Sequence, residues 1–253
     1  MESNLNYFLD PNFVFNEELH TYTYLDNSTG KPIQTFRSVT NFLSQFKKEF
    51  NSEFIAKQVA KKKGVHHLDV LREWKQISDI ALNLGTRVHK WIEDYYNGLD
   101  PQLPVNDDVF LDRVLKFKEI HENTLHKFTP VHQEFRVFSK KWGIAGTIDS
   151  INKLNDKYYI GDWKTNKKFT SDLDSEGRRQ KLLYPFDDMW DNSINGYSIQ
   201  LSLYRLLLQE EAGFITNGGF LVWIGPSLKP EMHKIVDLRD RLYEFLQKNN
   251  NKL

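Results

Sequence analysis

From Val131 to Lys164 the chain carries three short β-patterned segments, Val131 to Phe138, Ile144 to Lys153 and Lys157 to Lys164. Short connections with turns at Lys141-Trp142-Gly143 and Asn155-Asp156 join them. Connections this short leave no room for a crossover helix, so neighbouring segments must run antiparallel. A sheet in the middle of the chain is therefore set, and the flanking segments have to cover it.

Those flanks read mostly as helices. Phe13 to Leu25 is aromatic and β-branched, and Asp26 to Gly30 supplies turn chemistry before an extended piece at Ile33 to Phe36, which predicts a β-hairpin. Ser38 or Thr40 then caps a helix bearing Phe42, Leu43 and Phe46, and a second helix covers Ser52 to Lys63 and stops on Gly64. Leu68 to Tyr96 repeats apolar residues at helical spacing (Leu71, Trp74, Ile77, Ile80, Leu84, Val88, Trp91, Ile92), as does Asp107 to Phe128, with Pro130 as its stop. After the strands, Thr170 to Gly196 is polar and irregular. Tyr197 to Ala212 is a helix, Gly219 to Ile224 a buried strand, and Asp237 to Lys248 a terminal helix capped by its aspartate. With no internal repeat or linker, residues 1–253 are expected to form one α/β domain. Residues 1–128 would be its hairpin and helical portion, and 129–253 its sheet and flanking helices.

Composition narrows the chemistry. No cysteine is present among 253 residues, which excludes disulfides, thiolate metal sites, iron–sulfur clusters and cysteine nucleophiles. Any metal has to be held by oxygen and imidazole. Lysine plus arginine equals aspartate plus glutamate at 34 each, so the chain does not coat nucleic acid by bulk charge. No apolar run approaches the roughly 20 residues of a membrane span. Met1 to Asp10 lacks the pattern of a signal peptide, and an intracellular, cytoplasmic location is the expectation.

The chemistry-bearing residues sit on the strands. Gly146-Thr147-Ile148-Asp149 lies near the start of one and Asp162-Trp163-Lys164 at the end of the next. Antiparallel pairing can bring both aspartates to one end of the sheet, and strand alternation puts Asp162 and Lys164 on the same face, roughly 6–7 Å apart. Converging carboxylates repel unless a cation lies between them, and a hard divalent ion such as Mg²⁺ or Mn²⁺ suits oxygen ligands. A neighbouring ammonium can orient a metal-bound water and offset surplus negative charge. Each piece has a bland counterpart, a turn into a strand or a surface ion pair; the order and spacing carry the signal.

In these blocks the sequence resembles the PD-(D/E)XK nuclease superfamily, in particular its RecB-like exonuclease branch with its phage-type and mitochondrial genome-maintenance members. That branch has a helix with glycine followed four residues later by histidine, matched by Gly85 to His89, and a downstream helix with glutamine and tyrosine, matched by Gln200 and Tyr204. The resemblance spans about half the chain. It implies a restriction-endonuclease-like core, a central mixed β-sheet flanked by helices. It further implies His89, Asp149 and Asp162 as side-chain metal ligands, the Trp163 carbonyl as a backbone ligand, and Lys164 as the catalytic lysine. Gln200 and Tyr204 would contact the phosphate or hold Lys164. Glu134 matches an acidic position with a second-shell or water-mediated role. Asp162 stands where the family commonly has glutamate, and the absence of cysteine excludes the iron–sulfur subgroup. No phosphate-binding G-x-x-x-x-G-K-[ST] loop accompanies these blocks.

The implied activity is Mg²⁺- or Mn²⁺-dependent exonucleolytic hydrolysis of DNA, single-stranded or at free ends, in replication, repair or recombination. Because the same core serves endonucleases, a structure-specific endonuclease is the alternative. A non-cleaving nucleic-acid-binding module is the reading from another class. Arg87, Thr165, Lys167, Lys168, Arg178 and Tyr197 are the expected nucleic-acid contacts, with Lys57, Lys61, Lys62, Lys63 and Arg179 as further cations for a phosphate track.

Overall fold

A computed structural model describes residues 2–169 and 180–249. A 3₁₀ segment, Glu2–Leu9, leads into strands β1 (Phe13–Asn16), β2 (Thr21–Leu25) and β3 (Pro32–Ser38). Helices α1 (Val39–Ser44), α2 (Ser52–Lys63), α3 (His67–Tyr96) and α4 (Asp108–Asn123) follow. Next come β4 (Thr129–Ser139), β5 (Ile144–Leu154), β6 (Lys157–Lys164), α5 (Ser193–Ala212), β7 (Gly218–Trp223), β8 (Glu231–Lys234) and α6 (Arg239–Asn249). The eight strands make one sheet in the order β1-β2-β3-β5-β6-β7-β8, with β4 added along β5. Pairings β3–β5 and β6–β7 are parallel and the others antiparallel, so the expected central mixed sheet flanked by helices is what the chain forms.

Alternation along the strands divides the core in two. Trp163, Phe220 and Val222 pack with Val88, Trp91 and Ile92 of α3 and Val114 and Phe117 of α4. Ile148, Ile160 and Leu221 pack instead with Ile199, Leu203 and Leu207 of α5. A period of two supplies each helical layer with its own set of side chains.

Several boundaries differ from the sequence expectation. The N-terminal hairpin is a three-stranded meander, because Asn16 accepts the Leu19 N–H and His20 takes a positive φ of 51°, which breaks Phe13 to Leu25 into two strands. The fourth helix ends at Asn123, seven residues before the expected stop. Pro130 lies inside β4 beside a register shift, where a missing N–H is tolerated. The segment expected to be irregular up to Gly196 turns helical at Ser193, since Asn192 caps α5 by accepting the Asn195 N–H. Residues 170–179 of that segment lie outside the described residues. The strand β8 and the opening 3₁₀ segment carry no periodic signal of their own and were not expected. Asp237 does accept the Arg239 N–H, and the helix it starts begins two residues later than expected.

The third helix is a long lever. Its second half packs on the sheet, whereas its first half packs against α2 through Ala56, Ala60, Val70 and the flanking Val59, Leu71 and Trp74, with Phe50 against Trp74. Ile77 and Ile80, expected on a buried face, are exposed, and neither joins a buried cluster among the described residues.

Candidate metal and nuclease centre

The sheet forks at one point. On one edge of β5, β3 pairs only with Ile144 and Ala145, and β6 pairs only from Ser150 onward. Between them, residues 146–149 have no strand partner on that edge among the described residues. Asp149 sits at the lip of this fork, and its Oδ2 accepts the Trp163 backbone N–H at 2.8 Å, so the diverging strand is tied back by a side chain. Clefts where neighbouring strands part are recurrent ligand sites in α/β sheets.

Three elements converge there. Helix α3 delivers His89, whose Nε2 lies 2.8 Å from the Trp163 carbonyl oxygen, and with Nε2–H donating the ring is fixed in orientation. Its Nδ1 then faces two carboxylates, Asp149 Oδ2 at 3.5 Å and Glu134 Oε1 at 3.7 Å. The fit at this crossing explains Gly85: a Cβ there would lie 3.3 Å from Thr165 Oγ1, so the glycine lets α3 settle close to the end of β6. Glu134 comes from the middle of β4 with φ 46°, a left-handed conformation uncommon for a non-glycine residue. It interrupts the β4–β5 ladder, with Gln133 opposite Ser150 and Phe135 opposite Ile148. Local strain of this kind re-aims a side chain and concentrates at functional sites.

His89, Glu134 and Asp149 each present one ligand atom, all within 4.8 Å of one another. Asp162 stands outside that group. Its side chain is 4% exposed and its Oδ2 pairs with Lys164 Nζ at 2.7 Å. The Lys164 ammonium also lies 4.6 Å from the centre of the Tyr197 ring. The electrostatics of the two halves differ. Burial would lower the His89 pKa, but Asp149 and Glu134 outweigh it and push it up to about 9. Burial raises Asp149 despite the opposing charges of His89 and Lys164. Burial and the charge of Asp149 lift Asp162 to about 6 against the pull of Lys164, which is itself raised by Asp162 and Asp149 against its own burial. An imidazole held protonated by two acids marks a spot of surplus negative potential, and oxygen-rich donors with one imidazole are the chemistry of a divalent cation site.

Of the remaining expected residues, Tyr204 is buried beside the fork: a Cβ on Gly146 would fall 2.7 Å from its Cε1. Gln200 Nε2 reaches its hydroxyl at a long 3.5 Å. Thr165 and Tyr197 adjoin the site. Lys167 and Lys168 are exposed on the loop that leaves it. Arg87 points elsewhere, to Asp107 at 2.8 Å and over the Phe110 ring. Lys57 and Lys63 pair with Glu53 and Glu73 on the α2–α3 lever, Lys61 and Lys62 are exposed there, and Arg178 and Arg179 lie outside the described residues. The Trp163 carbonyl, expected as a ligand, is engaged by His89.

Sequence reading missed two neighbours. Tyr22 hydrogen-bonds Thr147, two residues before Asp149, at 3.0 Å. Phe169 stacks near-parallel on Tyr197, Trp223 and His233 beside Lys164. Their partners come from distant segments, and no local pattern announces them.

No family model matches the chain, and no curated protein matches it. Two solved structures are similar. A candidate exonuclease from Eubacterium rectale is 15% identical with a TM-score of 0.43, over 68% of this chain and 64% of that one. The protein SSO0001 is 16% identical with a TM-score of 0.28, over 64% of this chain and 69% of that one. The present chain thus spans just under two thirds of the Eubacterium rectale protein.

Proposed function

We propose that this protein is a Mg²⁺- or Mn²⁺-dependent nuclease that hydrolyses DNA phosphodiester bonds, acting as an exonuclease on single strands or free ends. One observation carries the reading: ligand atoms of His89, Glu134 and Asp149 gather within 4.8 Å at the fork of the sheet, beside the buried Asp162–Lys164 pair. The four sequence blocks shared with RecB-like exonucleases supply the reading of the substrate and of the exonucleolytic mode.

His89 through Nδ1, Glu134 and Asp149 would hold the ion, and Asp162 lies next to them. When bound, the cation supplies Lewis acidity, polarising a phosphoryl oxygen and acidifying a water. The chain's own groups do the rest. The Trp163 carbonyl fixes the imidazole, leaving Nδ1 for the ion. Asp162 holds the Lys164 ammonium at the mouth of the fork, where a positive charge offsets the charge developing on a pentavalent phosphate. Tyr204, against Gly146, and Gln200 wall the opposite side and present a hydroxyl and an amide to a phosphate oxygen.

The reading assigns Glu134 a ligand role and Asp162 a role in seating Lys164, a redistribution of the roles implied by the sequence blocks. It is tested with end-labelled and covalently closed DNA in Mg²⁺, Mn²⁺ or EDTA. The expected result is metal-dependent release of mononucleotides or short products from free ends. Asp149→Asn and Glu134→Gln should lose activity by at least about 10²-fold and lose metal-induced thermal stabilisation. Full activity in EDTA would overturn the metal role, and rapid cutting of closed circles would overturn the exonucleolytic mode.

A further inference from the structure

Beyond the fork, a recess of about 270 Å³ lies where the β4–β5 turn meets β3, lined by Gln34, Thr35, Arg37, Lys140, Lys141, Trp142 and Gly143. Among the described residues it holds three cations and no carboxylate. Arg37 uses Nε and Nη2 on Asn41, which leaves Nη1 unengaged among the described residues. Lys140 stands over the Tyr24 ring and Lys141 over the Trp142 ring, and neither has an ion-pair partner among the described residues. Asp10, which feels the charge of Lys140, forms no ion pair with it and is held by the Tyr24 hydroxyl. Trp142 is 2% exposed, and its indole Nε1–H is buried without a hydrogen-bond partner.

In a chain whose charges balance at 34 against 34, cations gathered without acids are a local feature rather than background. The recess and the centre lie along the same strand, β5. Gly143 and Asp149 lie on or beside one extended strand, six residues and about 20 Å apart. Arg136 lies between them, paired in register with Thr147, exposed and without an acid partner among the described residues. We propose that the recess is a phosphate-binding subsite. It holds the sugar–phosphate backbone of a nucleic acid strand whose reacting phosphate lies at the His89–Glu134–Asp149 fork. The inference rests on the proposed nuclease reading. It adds a second anchor point about 20 Å away along the strand direction, reached past Arg136.

The experiment measures binding of a fluorescein-labelled single-stranded 20-mer in EDTA by anisotropy across a salt series, for the full chain and the Lys140→Glu/Lys141→Glu variant. Cleavage of a trinucleotide, too short to span the two points, is measured with Mn²⁺. The expected result is about tenfold weaker 20-mer binding, with a salt slope shallower by about 1.4 for the two lost contacts. Trinucleotide kcat/KM should hold within about twofold. Titration with inorganic phosphate separates the sources: phosphate binding lost in the double variant, with 20-mer binding intact, would overturn the strand assignment in favour of a free anion. Unchanged binding of both probes would overturn the subsite altogether. Because binding is read in EDTA, a protein that never cleaves DNA refutes the nuclease reading without deciding this one.

Discussion

Replacing Lys164 by methionine isolates the buried ion pair that flanks the centre. Methionine keeps a flexible hydrocarbon near the Tyr197 ring and removes the ammonium, so Asp162, 4% exposed at its side chain, is left without its counter-charge. The loss follows from protonation energetics. A folded chain that neutralises this carboxyl at pH 8 holds it roughly four units above its ordinary value of 3.8, which costs about 6 kcal/mol. With Lys164 present the carboxyl stands at about 6, two units up, a cost of about 3 kcal/mol. The variant should therefore be less stable by about 3 kcal/mol at pH 8, in line with the 3–5 kcal/mol typical of breaking a buried pair. Because the folded value is raised, ionisation of Asp162 weakens the fold as pH climbs from about 4 through 6, and the penalty reverses on acidification. At pH 5 both proteins hold Asp162 largely protonated, and the difference should shrink below about 1 kcal/mol. Urea unfolding in EDTA at pH 5 and pH 8 measures both values. Lys164→Met combined with Asp162→Asn should recover most of the stability at pH 8, since no uncompensated charge remains. A loss equal at the two pH values, or no recovery in the double variant, would refute the pair as the source.

Two further outcomes follow from the same geometry. In metal-free protein His89 is raised from 6.5 to about 9, so its contribution is complete below pH 6.5 and disappears as pH rises through 9. His89→Gln should cost about 3 kcal/mol at pH 6 and little at pH 10, read from urea midpoints in EDTA, and a pH-independent difference would contradict the charge cluster. Gly146→Ala places a Cβ 2.7 Å from Tyr204 Cε1 and 3.1 Å from Val39 Cγ2. Overpacking should destabilise the protein by about 1–3 kcal/mol and lower kcat as Tyr204 is displaced, whereas a change under about 0.5 kcal/mol would show that the wall yields freely.

Legibility of the centre varied by residue. Asp149, Asp162 and Lys164 were readable because short turns and strand alternation fix where they point before any tertiary contact forms. His89 and Gln200 stood in the sequence only through the resemblance to a family spacing, since nothing local aims a helix at a strand dozens of residues away. Glu134 was visible as an acid on a strand, but its left-handed φ, which turns it toward His89 and Asp149, is a product of the assembled sheet.

The sequence by itself determined the three central strands, the order of helices around them, the stop of the second helix on Gly64, and the restriction of any metal site to oxygen and imidazole donors. These depend on interactions among residues a few positions apart. Only the tertiary structure decided that β5 is shared by β3 and β6 with a gap between them, and that the Asp162–Lys164 pair lies beside the converging His89, Glu134 and Asp149. It also decided that Arg37 meets Lys140 and Lys141 around an acid-free recess. Each of these joins segments far apart in the chain, and their juxtaposition is set by how the sheet and the helical layers pack together.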